Sequence, residues 1–271
     1  TGDTTERAFF LLCGEGRNGK STFVETLKAL LGNYAQKARF STFLSKRLDA
    51  GGPNDDIAHL AGSRCVVANE ADERIPLNVS LIKELTGGDS HRARFLYSRE
   101  FEFKPQFKLF LVVNRIPPIH ETTASIWDRL HYIPFEWRVP EELVDRSLGL
   151  KLLGELSGIL ARAAAASLEW QKTGLCPPDK VLRAVEQLYC EMDMSLQFLS
   201  ECTASREGST TSQKNLYAAF QNWCRAEGVH KTPSNKWLIK EMRSKHYAAK
   251  KITDHILVWE GIELLDLFTD K

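Results

Sequence analysis

The stretch Gly14-Glu15-Gly16-Arg17-Asn18-Gly19-Lys20-Ser21, followed by Thr22, constrains this chain more than any other. Its spacing is G-x-x-x-x-G-K-[ST], and its surroundings match its letters. The apolar run Ala8 to Cys13 ahead of it reads as a buried parallel strand. Behind it, residues Thr22 to Leu31 put Phe23, Leu27, Leu30 and Leu31 on one helical face, and Gly32 ends the helix. Strand, glycine loop and helix in that order suit phosphate binding. Glycines let backbone N–H groups close around phosphate oxygens, and the helix N-terminus adds partial positive charge. Gly14, Glu15, Gly16, Arg17, Asn18, Gly19, Lys20, Ser21 and Thr22 are therefore expected to cradle ATP. Lys20 is expected to reach the β- and γ-phosphates, and the Ser21 hydroxyl to hold Mg²⁺. A glycine turn with a chance lysine would leave the flanking strand and helix unexplained.

Bulk properties narrow little else. With 271 residues, the chain has room for one large and one small domain. A formal net charge of +1 means that any basic surface for nucleic acid must be local. No apolar run approaches a membrane span and no signal-peptide pattern is present, so no membrane partner is expected. The chain starts at Thr1 and enters its first strand almost at once, which reads as a piece cut from a longer polypeptide. Six scattered cysteines without a C-x-x-C pair argue against a zinc site or disulfide framework and for a cytoplasmic setting.

Past the mixed, polar residues 33 to 56, a short apolar strand, Arg64 to Glu70, ends in a carboxylate. A metal-bound water near a γ-phosphate needs an acid at such a strand end, so Glu70 is the candidate for Mg²⁺ positioning or water activation. Asp72 and Glu73 stand close enough in sequence to share that role, and an acid at a helix start would look the same. Leu77 to Leu85 reads as a helix stopped by Thr86-Gly87-Gly88-Asp89. Residues 92–97 and 101–104 then read as a β-hairpin with a basic, aromatic tip. Tyr97, Arg99 and Lys104 there offer a stacking face and phosphate contacts to a nucleic-acid strand, or else form a solvated surface hairpin. The strand Lys108 to Asn114 ends in an amide suited to orienting a water, or to opening a turn. Arg129, before the strand His131 to Phe135, is a candidate arginine finger, with a salt bridge to Asp128 or Glu136 as the competing reading.

Pro140 to Trp170 and Asp179 to Ser205 read as helical, and residues 206–212 as a linker. Beyond it lie an amphipathic helix (Gln213 to Glu227), a second helix (Pro233 to His246) and two β-like pieces. Between His230 and Lys251 seven Lys or Arg face one acid, Glu241, and Lys236, Lys240 and Arg243 form one stripe. Helix, basic helix and hairpin describe a winged helix suited to DNA, or a protein-binding module with a solvated basic face.

Taken in order, the loop at 14–21, the strand into Asn69-Glu70, the stretch Leu81 to Asp89, Phe103-Lys104-Pro105 and the strand ending at Asn114 carry a resemblance. Over about residues 8 to 137 the chain resembles the superfamily 3 helicase domain of phage, plasmid and poxvirus primase–helicases. That resemblance implies an AAA+-like α/β fold, a parallel sheet with flanking helices, and a homo-oligomeric, hexameric ring with ATP sites shared between subunits. It assigns Lys20 and Ser21 to phosphate and Mg²⁺, Glu70 to the second motif, Asn114 to the sensor, Arg129 to a finger acting across subunits, and 87–104 to a DNA-contacting hairpin. One departure stands out: Asn69 precedes a single carboxylate where many such enzymes carry two acids. The expected organisation is a nucleotide-binding core over 1–140, a helical subdomain over 141–205 and a winged-helix module over 206–271. The expected function is an ATP-dependent helicase on single-stranded and forked DNA, serving replication of a phage, plasmid or other mobile element in a bacterial cytoplasm. A primase region is expected on the same full-length chain. The alternative is an ATP-regulated DNA-binding initiator that does not translocate; a nucleotide kinase would leave the basic hairpin and tail without a use.

Overall fold

The computed structural model describes residues 1–45, 55–69, 75–119, 124–227, 229, 232–253 and 256–265. They belong to two units, Thr1–Tyr189 and Cys190–Lys271. The first unit runs through β1 (Phe9–Cys13), α1 (Lys20–Leu31), β2 (Ala35–Arg39), α2 (Asp55–Ala58), β3 (Cys65–Asn69), α3 (Val79–Gly87), β4 (His91–Ala93), β5 (Phe101–Phe103), β6 (Lys108–Val113), α4 (Ala124–Trp127) and β7 (Leu130–Pro134). It then continues through α5 (Leu148–Gly154), α6 (Leu156–Thr173) and most of α7 (Asp179–Met192).

β2, β3, β6, β1 and β7 form a five-stranded sheet in that order, every neighbouring pair parallel. The inner strands are continuous apolar runs because both faces are covered. Leu11 lies level with Leu111 on one side and Tyr132 on the other, and Phe10 stacks on Phe110 at 4.8 Å. Val24, Leu27 and Leu31 of α1 pack on Leu12, Val67 and Val112. This corrects the expected stripe: Val24 is buried, whereas Phe23 is 47% exposed. Cys13 and Cys65 are buried in the sheet, and burial pushes the Cys65 thiol up to about 11.

Three expectations for this unit change. β2 lies within a stretch read only as mixed and polar; it is an edge strand whose Gln36, Lys37 and Arg39 face solvent, so it has no apolar pattern to show. The helix expected over 77–85 starts later, at Val79, because the Asn78 side chain accepts the Leu81 N–H at 3.1 Å and caps it. The helix expected from Pro140 does not form there: residues 137–147 are a strap with one 3₁₀ turn, Glu141–Leu143, and a further turn at 146–147, and helix begins at Leu148.

The second unit contains α8 (Met194–Cys202), β8 (Thr203–Ser212), α9 (Gln213–Ala226), α10 (Asn235–Ser244), β9 (Ala249–Thr253) and β10 (Ile256–Leu264). Its strands pair antiparallel in the order β8-β10-β9. The helix expected over 179–205 is interrupted at Asp193, whose carboxylate accepts the Ser195 and Leu196 N–H groups and starts α8. The expected linker, 206–212, lies within β8, whose Thr210–Ser212 pair with β10 after an irregularity in the register. Ser212 and Ser234 cap α9 and α10. Phe198, Leu216, Phe220, Trp223, Leu238, Met242 and Trp259 make the core of this unit.

Candidate functional site

The glycine loop leaves β1 at the C-terminal edge of the sheet and ends where α1 begins, at Lys20. Gly16 (φ 63°) and Gly19 (φ 87°) take the left-handed conformation that glycine adopts at no steric cost, and Arg17 between them takes it at φ 48°. Left-handed residues alternating with right-handed or turn residues direct successive N–H groups toward one concave side, which suits an anion. Lys20 is 5% exposed, and its ammonium donates to the Gly14 carbonyl and, at 3.1 Å, to Asn18 Oδ1. Burial lowers its pKa, with no carboxylate among the described residues close enough to offset it. A buried cation whose acceptors among the described residues are neutral is a place where an arriving polyanion supplies counter-charge.

The loop forms one wall of a cavity of about 350 Å³ whose other wall is the ends of β3 and β6: Asn69, Val112, Val113 and Asn114. The parallel register makes this convergence. Cys13 lies level with Val113, and Asn69 with Val112, so the residues after each strand open on the same space. Asn114 sits exposed at the rim, and its carbonyl accepts from Cys13 Sγ at 3.4 Å. Asn69 Oδ1 is buried without a hydrogen-bond partner among the described residues. Such an acceptor costs about 1–3 kcal/mol unless something satisfies it. The sequence reading assigned Asn69 no task; its one signal is its place directly before the expected carboxylate.

Glu70, the expected second-motif carboxylate, and its reserves Asp72 and Glu73 lie outside the described residues. Among the described residues no three His, Cys, Asp or Glu side chains converge to hold a metal. Among the side-chain oxygens on this cavity, the Ser21 hydroxyl and Asn69 Oδ1 fit a hard cation that keeps most of its own waters.

A second wall of the loop is the strap that follows β7. Phe135 N–H donates to the Cys13 carbonyl at 2.7 Å, Asn18 Nδ2 to the Phe135 carbonyl at 2.9 Å, and Val139 N–H to the Arg17 carbonyl at 2.8 Å. Asn18 thus ties the lysine to the strap as well as to the loop.

Arg129 stands elsewhere. It precedes β7, and β7 runs level with β1 from Phe9 to Cys13, so Arg129 lies at the N-terminal edge, roughly 15 Å of strand from the loop. Its guanidinium donates to the Lys83 carbonyl at 2.7 Å and to Thr86 Oγ1 at 3.0 Å, near the C-terminal end of α3. The cavity of its own chain does not include it. The β4–β5 hairpin is at this same edge, because β5 leads through four residues into β6. Its register pairs His91 with Phe103 and Ala93 with Phe101. Phe95 stacks on Phe101 at 5.4 Å, and His91 Nδ1 lies 2.6 Å from Glu84 Oε1. Arg92, Arg94, Arg99 and Lys104 are exposed, and Tyr97, at φ 60°, is 98% exposed.

In the second unit, Lys236, Lys240 and Arg243 are exposed on α10 while Leu238 and Met242 are buried. Glu241, the single acid of that stretch, is buried and turned toward Lys245 at 3.4 Å, so the outer stripe carries only positive charge. Lys250 and Lys251 on β9 are exposed as well. Among the described residues no helix is long and apolar enough to cross a membrane.

Residues 12–129 match a family described as a family of unknown function (DUF5906). The chain is 28% identical to "Putative helicase 022R" of Frog virus 3 (isolate Goorha) over 249 residues, 85% of this chain and 26% of that protein. It is 26% identical to "Putative helicase L207/L206" of Acanthamoeba polyphaga mimivirus over 293 residues, 100% of this chain and 30% of that protein. The chain therefore spans between a quarter and a third of the length of these relatives. Among solved structures, the apo NrS-1 C-terminal region shares the fold, with a TM-score of 0.58 at 12% identity over 95% of this chain and 67% of that one. The relatives are helicase-named proteins of eukaryotic viruses, and the expected bacterial host finds no support among them.

Proposed function

We propose that this chain is the ATP-hydrolysing region of a DNA helicase of the superfamily 3, AAA+-like type, acting in replication of a virus or other mobile element. The observation that carries the reading is the buried Lys20, held between a glycine loop and the ends of two parallel strands on one cavity. In this reading the loop N–H groups and Lys20 hold the β- and γ-phosphates, Ser21 and Glu70 would hold Mg²⁺, and Asn114 orients the attacking water. Asn69 Oδ1 would help to hold the metal. When bound, Mg²⁺ would supply positive charge where negative charge develops on the leaving group.

The separation of Arg129 from its own cavity supports the view that it acts on a neighbouring copy's nucleotide, in a hexameric ring. Exposed Tyr97, Arg99 and Lys104 would then face a single strand in the ring's channel, using stacking and phosphate contacts. In the second unit, the order α9, α10, β9, β10 supports the winged-helix reading, with the Lys236, Lys240 and Arg243 stripe against a DNA duplex. The proposed organisation keeps a nucleotide-binding core over 1–140, followed by helices from Leu148 to Tyr189, with the basic module in the unit Cys190–Lys271. A primase region elsewhere on a longer chain belongs to the same proposal. Strand displacement on a forked duplex, with ATP and Mg²⁺, tests it. ATP-dependent unwinding is expected. DNA-stimulated hydrolysis without unwinding would favour an initiator that remodels DNA but does not travel, and hydrolysis indifferent to DNA would count against both.

A further inference from the structure

The strap after β7 has no use in the reading above. It borders a second cavity, of about 500 Å³, that shares Arg17, Gly19 and Thr22 with the phosphate cavity but reaches neither Asn69 nor Asn114. If Lys20, Asn69 and Asn114 mark the γ-phosphate end, this second cavity lies at the other end of a bound triphosphate, where ribose and base must go. Its lining changes character there. Beside the charged Glu141, Asp145 and Arg146, the residues Trp137, Val139, Leu143, Val144 and Leu148 supply an apolar wall, and Trp137 and Leu143 stand 64% and 63% exposed. Large apolar side chains exposed together along one cavity wall mark a place for an occupant with an apolar face. A purine ring with its sugar suits a cleft of this size and chemistry. The wall is also fixed to the loop, through Val139 to Arg17 and Asn18 to Phe135, so base and phosphates would be held in one frame.

We infer that residues 137–148 form the nucleobase subsite of this chain, with the ring lying against Trp137 and enclosed by Val139, Leu143, Val144 and Leu148. The inference rests on the phosphate-loop reading, and its test separates the two. Affinities for ATP and for inorganic tripolyphosphate, both with Mg²⁺, are measured by calorimetry on the full chain and on Trp137→Ala, Leu143→Asp and Lys20→Ala. Trp137→Ala and Leu143→Asp should each weaken ATP by about tenfold or more while leaving tripolyphosphate within about twofold. Lys20→Ala should weaken both ligands. Unchanged ATP affinity in both strap variants would overturn the subsite, and a simultaneous fall in sedimentation coefficient would assign the patch to contact between copies. Equal loss of both ligands in the strap variants would also overturn it, making the strap a support for the loop. Wild-type protein that binds neither ligand would overturn the phosphate-loop reading itself.

Discussion

The two edges of the parallel sheet differ in how they are built. At the C-terminal edge, Lys20, Asn69 and Asn114 surround one cavity, and the first two are held in place by burial and by strand register. At the N-terminal edge, the hairpin tip and Tyr97 stand in solvent, anchored by an aromatic stack and the His91–Glu84 contact. Parallel strands make the first edge almost automatically, since every strand delivers its next residue to the same side. The second edge is an insertion between α3 and β6 with its own two-stranded ladder. One edge walls a cavity with side chains fixed by strand register; the other presents an exposed, charged surface.

Substitutions should separate these edges, and the largest effect belongs to Lys20. Lys20→Ala should lower ATP turnover at least about a hundredfold, because the developing phosphate charge loses its cation. DNA affinity at the hairpin should hardly move; near-normal turnover would remove the C-terminal edge from the chemistry. Next comes Asn69→Ala, expected to cut turnover about tenfold or more while leaving the thermal midpoint unchanged or raised, because it deletes an unsatisfied buried acceptor. A clear drop in the midpoint with normal turnover would make Asn69 a structural residue.

Arg129→Ala tests whether the edges are joined across copies. It should destabilise the fold by about 1–3 kcal/mol, since its charged hydrogen bonds to Lys83 and Thr86 go. Hydrolysis should stop with nucleotide binding retained, and mixing with Lys20→Ala protein should restore part of it. Destabilisation alone, with hydrolysis intact, would confine Arg129 to the α3 contact. The smallest effect is expected from Arg99→Ala with Lys104→Ala: weaker single-strand binding and a salt slope flattened by about one to two. An unchanged slope would move the DNA contact off this hairpin.

Legibility in the sequence followed burial. β1, β3 and β6 are covered on both faces, so their apolar runs announced them, and the loop motif located the cavity through the strand it follows. β2 and β8 escaped because each is an outer strand of its sheet with polar residues along it, and Arg206 to Ser212 carry the letters of a linker. The strap at 137–147 escaped for a different reason. The leucine- and alanine-rich helices after it lent their pattern to a segment that is tied to the loop by backbone hydrogen bonds. Asn69 was visible only as the neighbour of a carboxylate; its burial and its unmatched oxygen are properties of packing.

The proposed coupling joins nucleotide chemistry at one edge of the sheet to a DNA strand at the other. Its most direct test is the ATP hydrolysis rate with and without single-stranded DNA, for the wild-type chain and for the Arg99→Ala, Lys104→Ala double variant. The account predicts a DNA-stimulated rate in the wild type and an unstimulated but intact basal rate in the double variant. A wild-type rate indifferent to DNA, or stimulation that survives the double substitution in full, would contradict it.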